Sequence, residues 1–354
     1  MTNKKQAQAA KPHRITIGIS TSALFDMRES ERIFQTRGVE KYQQHMIRNE
    51  AKPFAPGHAF ALIETMRDIN KQLGHDLFHV VLISKNDAWT GARAVKSCYH
   101  YDLPLNSGMF SNGGPTIDYL PAYNVDWFIS TDKEDVEAAA KTGIAANVID
   151  SPLYAGQALS MALKAKPATP VKTAANENTN SALSGTFNKK LHLVWDLDRV
   201  VFGAEADQFF TDNGLEKYLK HERENAHETI SDGPFLQIAK LAGEITRNFP
   251  RDHGPIISSA ITARSGAAAL RAMLNLRAKG VVFNGAAHFI ADGGERKARV
   301  LEVMNREKNN TILFLDDSAP TIGHTSKVVM SGLVPKTTPG LALGEKHPDA
   351  PKPK

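Results

Sequence analysis

The 354-residue sequence is poor in cysteine and aromatic side chains: it holds one cysteine, Cys98, three tryptophans and 7% aromatic residues in all. A lone cysteine closes no internal disulfide and leaves no thiolate cluster for a structural zinc site, which fits a reducing compartment. No apolar run approaches the roughly 18 residues that suggest a membrane span, and the first fourteen residues, MTNKKQAQAAKPHR, lack the apolar stretch of a secretory signal. A soluble, cytoplasmic protein is expected, with no membrane partner. Charge of one sign is also missing from the body of the chain. The net charge is +5, but residues 1–14 carry +4, residues 155–190 carry +4 and residues 336–354 carry +2, so the remainder is mildly acidic at −5. That distribution argues against a nucleic-acid partner.

What is present, 42% hydrophobic and 23% charged residues, suffices for at least one full core. The basic segments mark the expected boundaries. Residues 1–13 and 339–354 read as tails, and 155–188, with its KAKPATPVKTAANENTNSALSG, reads as a flexible linker between an amino-terminal domain at 14–154 and a second domain at 189–338. Both halves alternate strands with helices. RITIGIS (14–20), FHVVLIS (78–84) and VDWFIS (125–130) are strand runs in the first, and KLHLVWD (190–196), PIISSAI (255–261) and NTILFLD (310–316) in the second. Helical spacing covers GHAFALIETMRDINKQLG, SGAAALRAMLNLRAKG and GERKARVLEVMNREK. An α/β fold with a mainly parallel sheet in each half follows, and in such sheets chemistry collects beyond the carboxyl ends of the strands.

The second half carries polar residues at those ends. The first strand finishes in Asp196-Leu197-Asp198, the next in Thr262-Ala263-Arg264-Ser265, the last in Asp316-Asp317, and Gly293-Gly294-Glu295-Arg296-Lys297 opens the helix between. Four carboxylates converging without a partner would repel and raise one another's pKa. A hard divalent cation resolves the repulsion, and Mg²⁺ is the usual choice beside a phosphate. Taken singly, Thr262 also suits a cap, Asp316-Asp317 a turn, and Arg199 a solvated charge.

In order, the DxD start at Asp196, Thr262, Lys297 and the Asp316-Asp317 pair resemble the four motifs of haloacid dehalogenase superfamily phosphatases. With IGISTSALFDM, RIFQTRGVEKYQQHMIRNEAKPFAPGHAF, VVLISKNDAWTGARAVKSCYHYDL, GGPTIDYLPAYNVDWFISTD and ITARSGAAALRAM added, the sequence from about Arg14 to Pro335 is similar to the cytosolic 5′-nucleotidase I family. The resemblance implies a Rossmann-like catalytic domain with a small helical cap, preceded by a second α/β domain. It implies Mg²⁺-dependent hydrolysis of nucleoside 5′-monophosphates, with Asp196 as nucleophile and Asp198 as general acid and base. Thr262 and Lys297 would bind the phosphoryl oxygens, with Lys297 also stabilising the nucleophile, and Arg264 and Ser265 are further candidate substrate contacts. Mg²⁺ would lie on Asp196, the backbone carbonyl of Asp198, and Asp316 or Asp317. Extra residues before the Gly-Gly segment make His288 a rival to Lys297, but a histidine is not a permanent cation at pH 7. The same motifs admit a sugar phosphatase or a nucleotide sensor without turnover, although a sensor has no need of Asp196 and Asp198. A nucleotide effector and a homo-oligomer are further partners the reading allows.

Residues 203–253 are too long for a simple crossover and have helical spacing, so a cap over the site is expected there. Its Phe209, Phe210 and Tyr218 are candidates to stack a base, or core residues. Finally, the halves align on themselves, Ser20 with Asp196, Ser84 with Thr262 and Thr131 with Asp316, at offsets of 176, 178 and 185 residues. The first half then reads as a degenerate copy with serines in place of the nucleophile and acid, keeping Ser20, Ser22, Ser84, Lys85, Asn86 and Asp132 around a vestigial pocket for substrate or effector contacts. Ser111-Asn112-Gly113-Gly114-Pro115 reads as a turn or a glycine-rich recognition loop.

Overall fold

The computed structural model describes residues 14–151, 187–250, 253–290, 293–307 and 309–336. The expected tails and nearly all of the linker lie outside them. In chain order the first half runs β1 (Ile15–Ser20), α1 (Thr21–Leu24), α2 (Arg28–Arg48), α3 (Phe60–Leu73), β2 (Phe78–Ser84), α4 (Ala88–His100), β3 (Ser107–Phe110), β4 (Trp127–Ser130), α5 (Lys133–Lys141) and β5 (Ala145–Asp150). The second runs β6 (Lys190–Trp195), α6 (Glu205–Glu224), α7 (Leu236–Arg247), β7 (Ile256–Thr262), α8 (Ala267–Ala278), β8 (Ala287–Phe289), α9 (Gly294–Met304), β9 (Asn310–Asp316), α10 (Ala319–Thr325) and β10 (Met330–Leu333). Among the described residues no helix is long and apolar enough to cross a membrane.

The strands form one ten-stranded sheet, in the order β3-β2-β1-β4-β5-β10-β9-β6-β7-β8. The sequence suggests a sheet in each half; the halves instead join edge to edge. Every pairing is parallel except the seam, where Ser331, Gly332 and Leu333 of β10 run antiparallel to Asp150, Ile149 and Val148 of β5. β1 (ITIGIS) is buried at every position and β6 at five of six, as expected for central parallel strands covered on both faces. α3 is amphipathic, burying Phe60, Leu62, Ile63, Met66 and Ile69, and packs against β2 of its own half and β6 and β9 of the other. Residues of both halves therefore share one core.

Each half has the same strand order, with β1 to β5 corresponding to β6 to β10. The correspondence reaches single residues. At the offset of 176, Gly57 and Gly233 both sit where a Cβ would meet backbone, at 2.7 Å from Phe25 and 2.4 Å from Val200 and Phe202. At the same offset α2 and α6 are both interrupted by a glycine in a conformation that side chains resist, Gly38 (φ 77, ψ 178) and Gly214 (φ 77, ψ 173).

The span expected as a cap divides in two. α7 buries Leu236, Ile238, Ala239, Ala242 and Ile245 against the sheet beside β7, so it is a crossover helix like its counterpart α3. Only α6, packed on α8, remains as a candidate cover.

Candidate active site

The carboxyl ends of β6, β7 and β9 are adjacent because β6 lies between the other two. This brings together Asp196, Thr262 and Asp316, all buried. Asp196 leaves the sheet into a tight turn in which its side chain accepts from its neighbour Leu197 N–H at 2.8 Å, and Arg199 adopts φ 58. Asp316 accepts from the Ser318 N–H at 2.8 Å. Lys297, one turn into α9 and 3% exposed, donates to Asp316 Oδ2 at 2.7 Å and lies 3.1 Å from Asp196 Oδ2. Its ammonium thus bridges the two buried carboxylates. His288, the rival to Lys297, sits on the edge strand β8.

Carboxylate oxygens of Asp196, Asp316 and Asp317 lie within 4.8 Å of one another. Burial pushes the Asp196 carboxyl above the ordinary carboxylate range, helped by the charges of Asp316, Asp198 and Asp317 and opposed by Lys297. Burial and Asp316 also raise Asp317, which Lys336 at 3.3 Å offsets in part. Burial disfavours the Lys297 ammonium, but Asp196 and Asp316 outweigh it and hold the group charged. Three crowded carboxylates are a donor set that suits a hard divalent cation.

The Asp198 carboxylate is outside that group. Arg264 grips it with two bonds, Nε and Nη2 donating at 2.9 and 2.7 Å, while Nη1 donates to Glu222 at 2.8 Å. Glu222 in turn accepts from Arg271 Nη1 at 2.6 Å. Arg264, Glu222 and Arg271 are all buried. Arg264, read from sequence as a substrate contact, therefore has its guanidinium committed to protein carboxylates, and Ser265 stands half-buried in the turn before α8. Thr262 accepts from the Arg264 N–H at 3.3 Å. Arg199 is not a solvated charge: its Nε donates to Asp207 at 2.7 Å and lies 3.7 Å from Asp317. On α6, Phe210 and Tyr218 meet edge to face with centroids 5.6 Å apart, and the Tyr218 hydroxyl feels the charges of Arg264 and Asp198.

A family model described as 5′-nucleotidase matches residues 7–339. The chain belongs to the 5′-nucleotidase family. Human cytosolic 5′-nucleotidase 1B is 28% identical over 278 residues, which cover 75% of this chain and 41% of that one. The chain thus spans less than half the length of this human relative. Similarity to solved structures is slight. A chain from the structure of a Pnkp1/Rnl/Hen1 complex aligns at a TM-score of 0.28 and 11% identity, over 93% of this chain and 99% of that one. A chain from the crystal structure of a putative UDP-N-acetylglucosamine 2-epimerase from Listeria monocytogenes aligns at 0.21 and 10% identity, over 88% and 76%.

In this 5′-nucleotidase family member the residues that sequence reasoning missed are Glu222 and Arg271. They lie 42 and 7 positions from Arg264 on α6 and α8, amid other charges, and only burial distinguishes them. The 176-residue offset offers an indirect signal, since it aligns Glu222 with the buried Met46.

Proposed function

We propose that the chain is a Mg²⁺-dependent phosphohydrolase that releases phosphate from nucleoside 5′-monophosphates through a phosphorylated Asp196. The observation that carries this reading is the buried lysine bridging two strand-end aspartates, beside a third carboxylate, in a chain of this family. The haloacid dehalogenase motifs supply the division of roles.

Asp196, Asp316 and Asp317 are the side chains to hold the cation, which when bound offsets phosphoryl charge and keeps the carboxylates ionised. An Asp196 oxygen attacks phosphorus, the bond from phosphorus to the 5′-oxygen breaks, and the leaving oxygen takes a proton from Asp198. Water then attacks the phosphorus of the aspartyl-phosphate, Asp198 receives its proton, and Asp196 is restored as phosphate leaves. Because both Asp198 oxygens are held by Arg264, proton transfer requires one of those bonds to be exchanged for substrate. Arg264 is then a positioning residue, braced by Glu222 and Arg271. Lys297 stabilises the charge that builds on the phosphoryl oxygens, and Thr262 donates its hydroxyl to them. Ser265, half-buried in the turn before α8, is a further candidate substrate contact. Phe210 and Tyr218 on α6 offer an aromatic face and edge for the base.

The test is phosphate release from nucleoside 5′-monophosphates, nucleoside 3′-monophosphates and sugar phosphates, with Mg²⁺ or with EDTA, by the wild type and by Asp196→Asn. Turnover confined to 5′-monophosphates, dependent on Mg²⁺ and abolished by Asp196→Asn supports the reading. A preference for sugar phosphates refutes the substrate, and absence of turnover refutes the reaction.

A further inference from the structure

A second cleft opens at the carboxyl ends of β1, β2 and β4, where the strand order of the first half reverses. It has a volume of about 810 Å³, within the range of small-molecule sites. Its polar wall includes Ser20, Ser22, Ser84, Asn86, Thr131 and Asp132. The seam decides its relation to the carboxylate site. Because β5 and β10 run antiparallel, the carboxyl ends of the two half-sheets emerge on opposite edges of the one sheet. The cleft therefore contributes nothing to the carboxylate site of the same chain.

Comparing the halves residue by residue indicates which ligand. The nucleophile, the acid and the ammonium have been replaced, Asp196 by Ser20, Asp198 by Ser22 and Lys297, at the Gly-Gly offset of 180, by the buried Ile117; Asp316 becomes Thr131, while Ser84 keeps the hydroxyl of Thr262 and Asp132 the carboxylate of Asp317. The cleft has one cation in its wall, Lys85, which Asp132 and Asp135 neutralise at 3.0 and 2.8 Å. With Glu31 and Asp87 also in the wall, the lining carries a net −3 and repels an anion.

The aromatic part has been kept. Phe34 and Tyr42, both in the cleft wall on the glycine-kinked α2, correspond at 176 residues to Phe210 and Tyr218 on α6. Their ring geometry is the same, edge to face at 5.7 Å and 80° against 5.6 Å and 78°. One side of the cleft thus offers an aromatic corner and the other a row of hydroxyl, amide and carboxylate groups that pair with ligand hydroxyls.

We propose that the amino-terminal cleft is a non-hydrolytic binding site for a nucleoside, retaining the aromatic corner of the other half's pocket and lacking its nucleophile, its acid and its phosphate-binding ammonium. The choice of a nucleoside among neutral ring-bearing polyols rests on the nucleotide reading of the carboxylate site.

The experiment is calorimetric titration of the full chain, in EDTA, with adenosine, guanosine, cytidine and uridine and with their 5′-monophosphates, using wild type, Phe34→Ala and Phe210→Ala. Phe34 is 50% exposed, so its truncation leaves the core intact. At least one nucleoside is expected to bind, about tenfold more weakly to Phe34→Ala and with unchanged affinity to Phe210→Ala. Binding that is lost in Phe210→Ala and kept in Phe34→Ala overturns the proposal, as does the absence of nucleoside binding. So does a 5′-monophosphate whose affinity falls in Phe34→Ala and exceeds that of its nucleoside. Phosphate release by the wild type is measured in parallel: nucleoside binding at the cleft without nucleotide turnover refutes only the function proposed above, and turnover without that binding refutes only the cleft.

Discussion

Replacing Lys297 by methionine tests the electrostatics of the carboxylate site without reference to substrate. The ammonium is 2.7 Å from Asp316 and 3.1 Å from Asp196, and all three groups are buried. Methionine keeps much of the apolar stem near the Phe314 ring and removes the charge, leaving two facing carboxylates that a single N–H each, from Ser318 and Leu197, helps to satisfy. Removing one partner of a buried ion pair costs about 3–5 kcal/mol. At roughly 2 °C per kcal/mol for a chain of this size, the melting temperature in EDTA at pH 8 should fall by about 6–10 °C. The loss has a pH signature. A carboxyl whose folded pKa is raised binds more protons folded than unfolded, so its contribution to stability declines as pH rises above the ordinary carboxylate range. Without Lys297 the Asp196 pKa rises further, so the deficit of Lys297→Met should be largest at pH 8 and shrink towards pH 5. Adding Asp196→Asn to Lys297→Met removes the repulsion and should recover about 1–3 kcal/mol. Calorimetric melts at the two pH values measure both effects. A deficit equal at pH 5 and pH 8, together with no recovery in the double variant, would refute the electrostatic account and leave Lys297 a packing residue.

Three further outcomes follow from the geometry. Because burial raises Asp196 and Asp317, cation binding must displace protons; the melting-temperature increase given by Mg²⁺ should grow from pH 5 to pH 8 and vanish in Asp316→Asn, as read by thermal melts with and without the ion. Arg264→Lys keeps a cation but loses the two-point grip on Asp198, so kcat should fall on the order of 10²-fold with KM little changed, in steady-state kinetics on a 5′-monophosphate. Gly57→Ala and Gly233→Ala each press a methyl group into backbone, at 2.7 and 2.4 Å, and should each cost about 1–3 kcal/mol in denaturant titrations.

The central strands were legible because they are buried on both faces: FHVVLIS and NTILFLD read as strands over the same residues the structure gives, 78–84 and 310–316. β3 (SGMF), β8 (AHF) and β10 (MSGL) are short and have no such run, since they lie at the edges or the seam. Missing β10 concealed the join between the halves. Lys297 was singled out by its position in the segment that opens a helix after Gly293-Gly294, four residues before Leu301, a local signal. The links from Arg264 to Asp198 and Glu222, and from Glu222 to Arg271, were not, because partners 66, 42 and 49 residues apart along the chain have no periodicity to reveal them. α2 and α6 were obscured for a related reason: each is broken by its glycine and mostly exposed, so neither shows a clean apolar face.

The shared sheet alters what retention of the first half means. Without β5, β10 would be an edge strand with unpaired backbone groups, and the reverse holds equally. α3 covers β6 and β9, the Thr65 and Thr311 hydroxyls bond at 2.6 Å, and Trp127 meets Phe235 edge to face at 5.7 Å across the halves. The second half therefore needs its partner for stability whether or not the partner binds anything. That requirement accounts for the strands, for α3 and for the tight passage at Gly57. It does not account for Phe34, half-exposed on the outer helix, nor for an aromatic pair whose distance and angle match those of Phe210 and Tyr218 while Ser20, Ser22 and Ile117 stand where the other half has Asp196, Asp198 and Lys297. A merely structural half has no use for that corner, and the affinity change in Phe34→Ala separates scaffold from site.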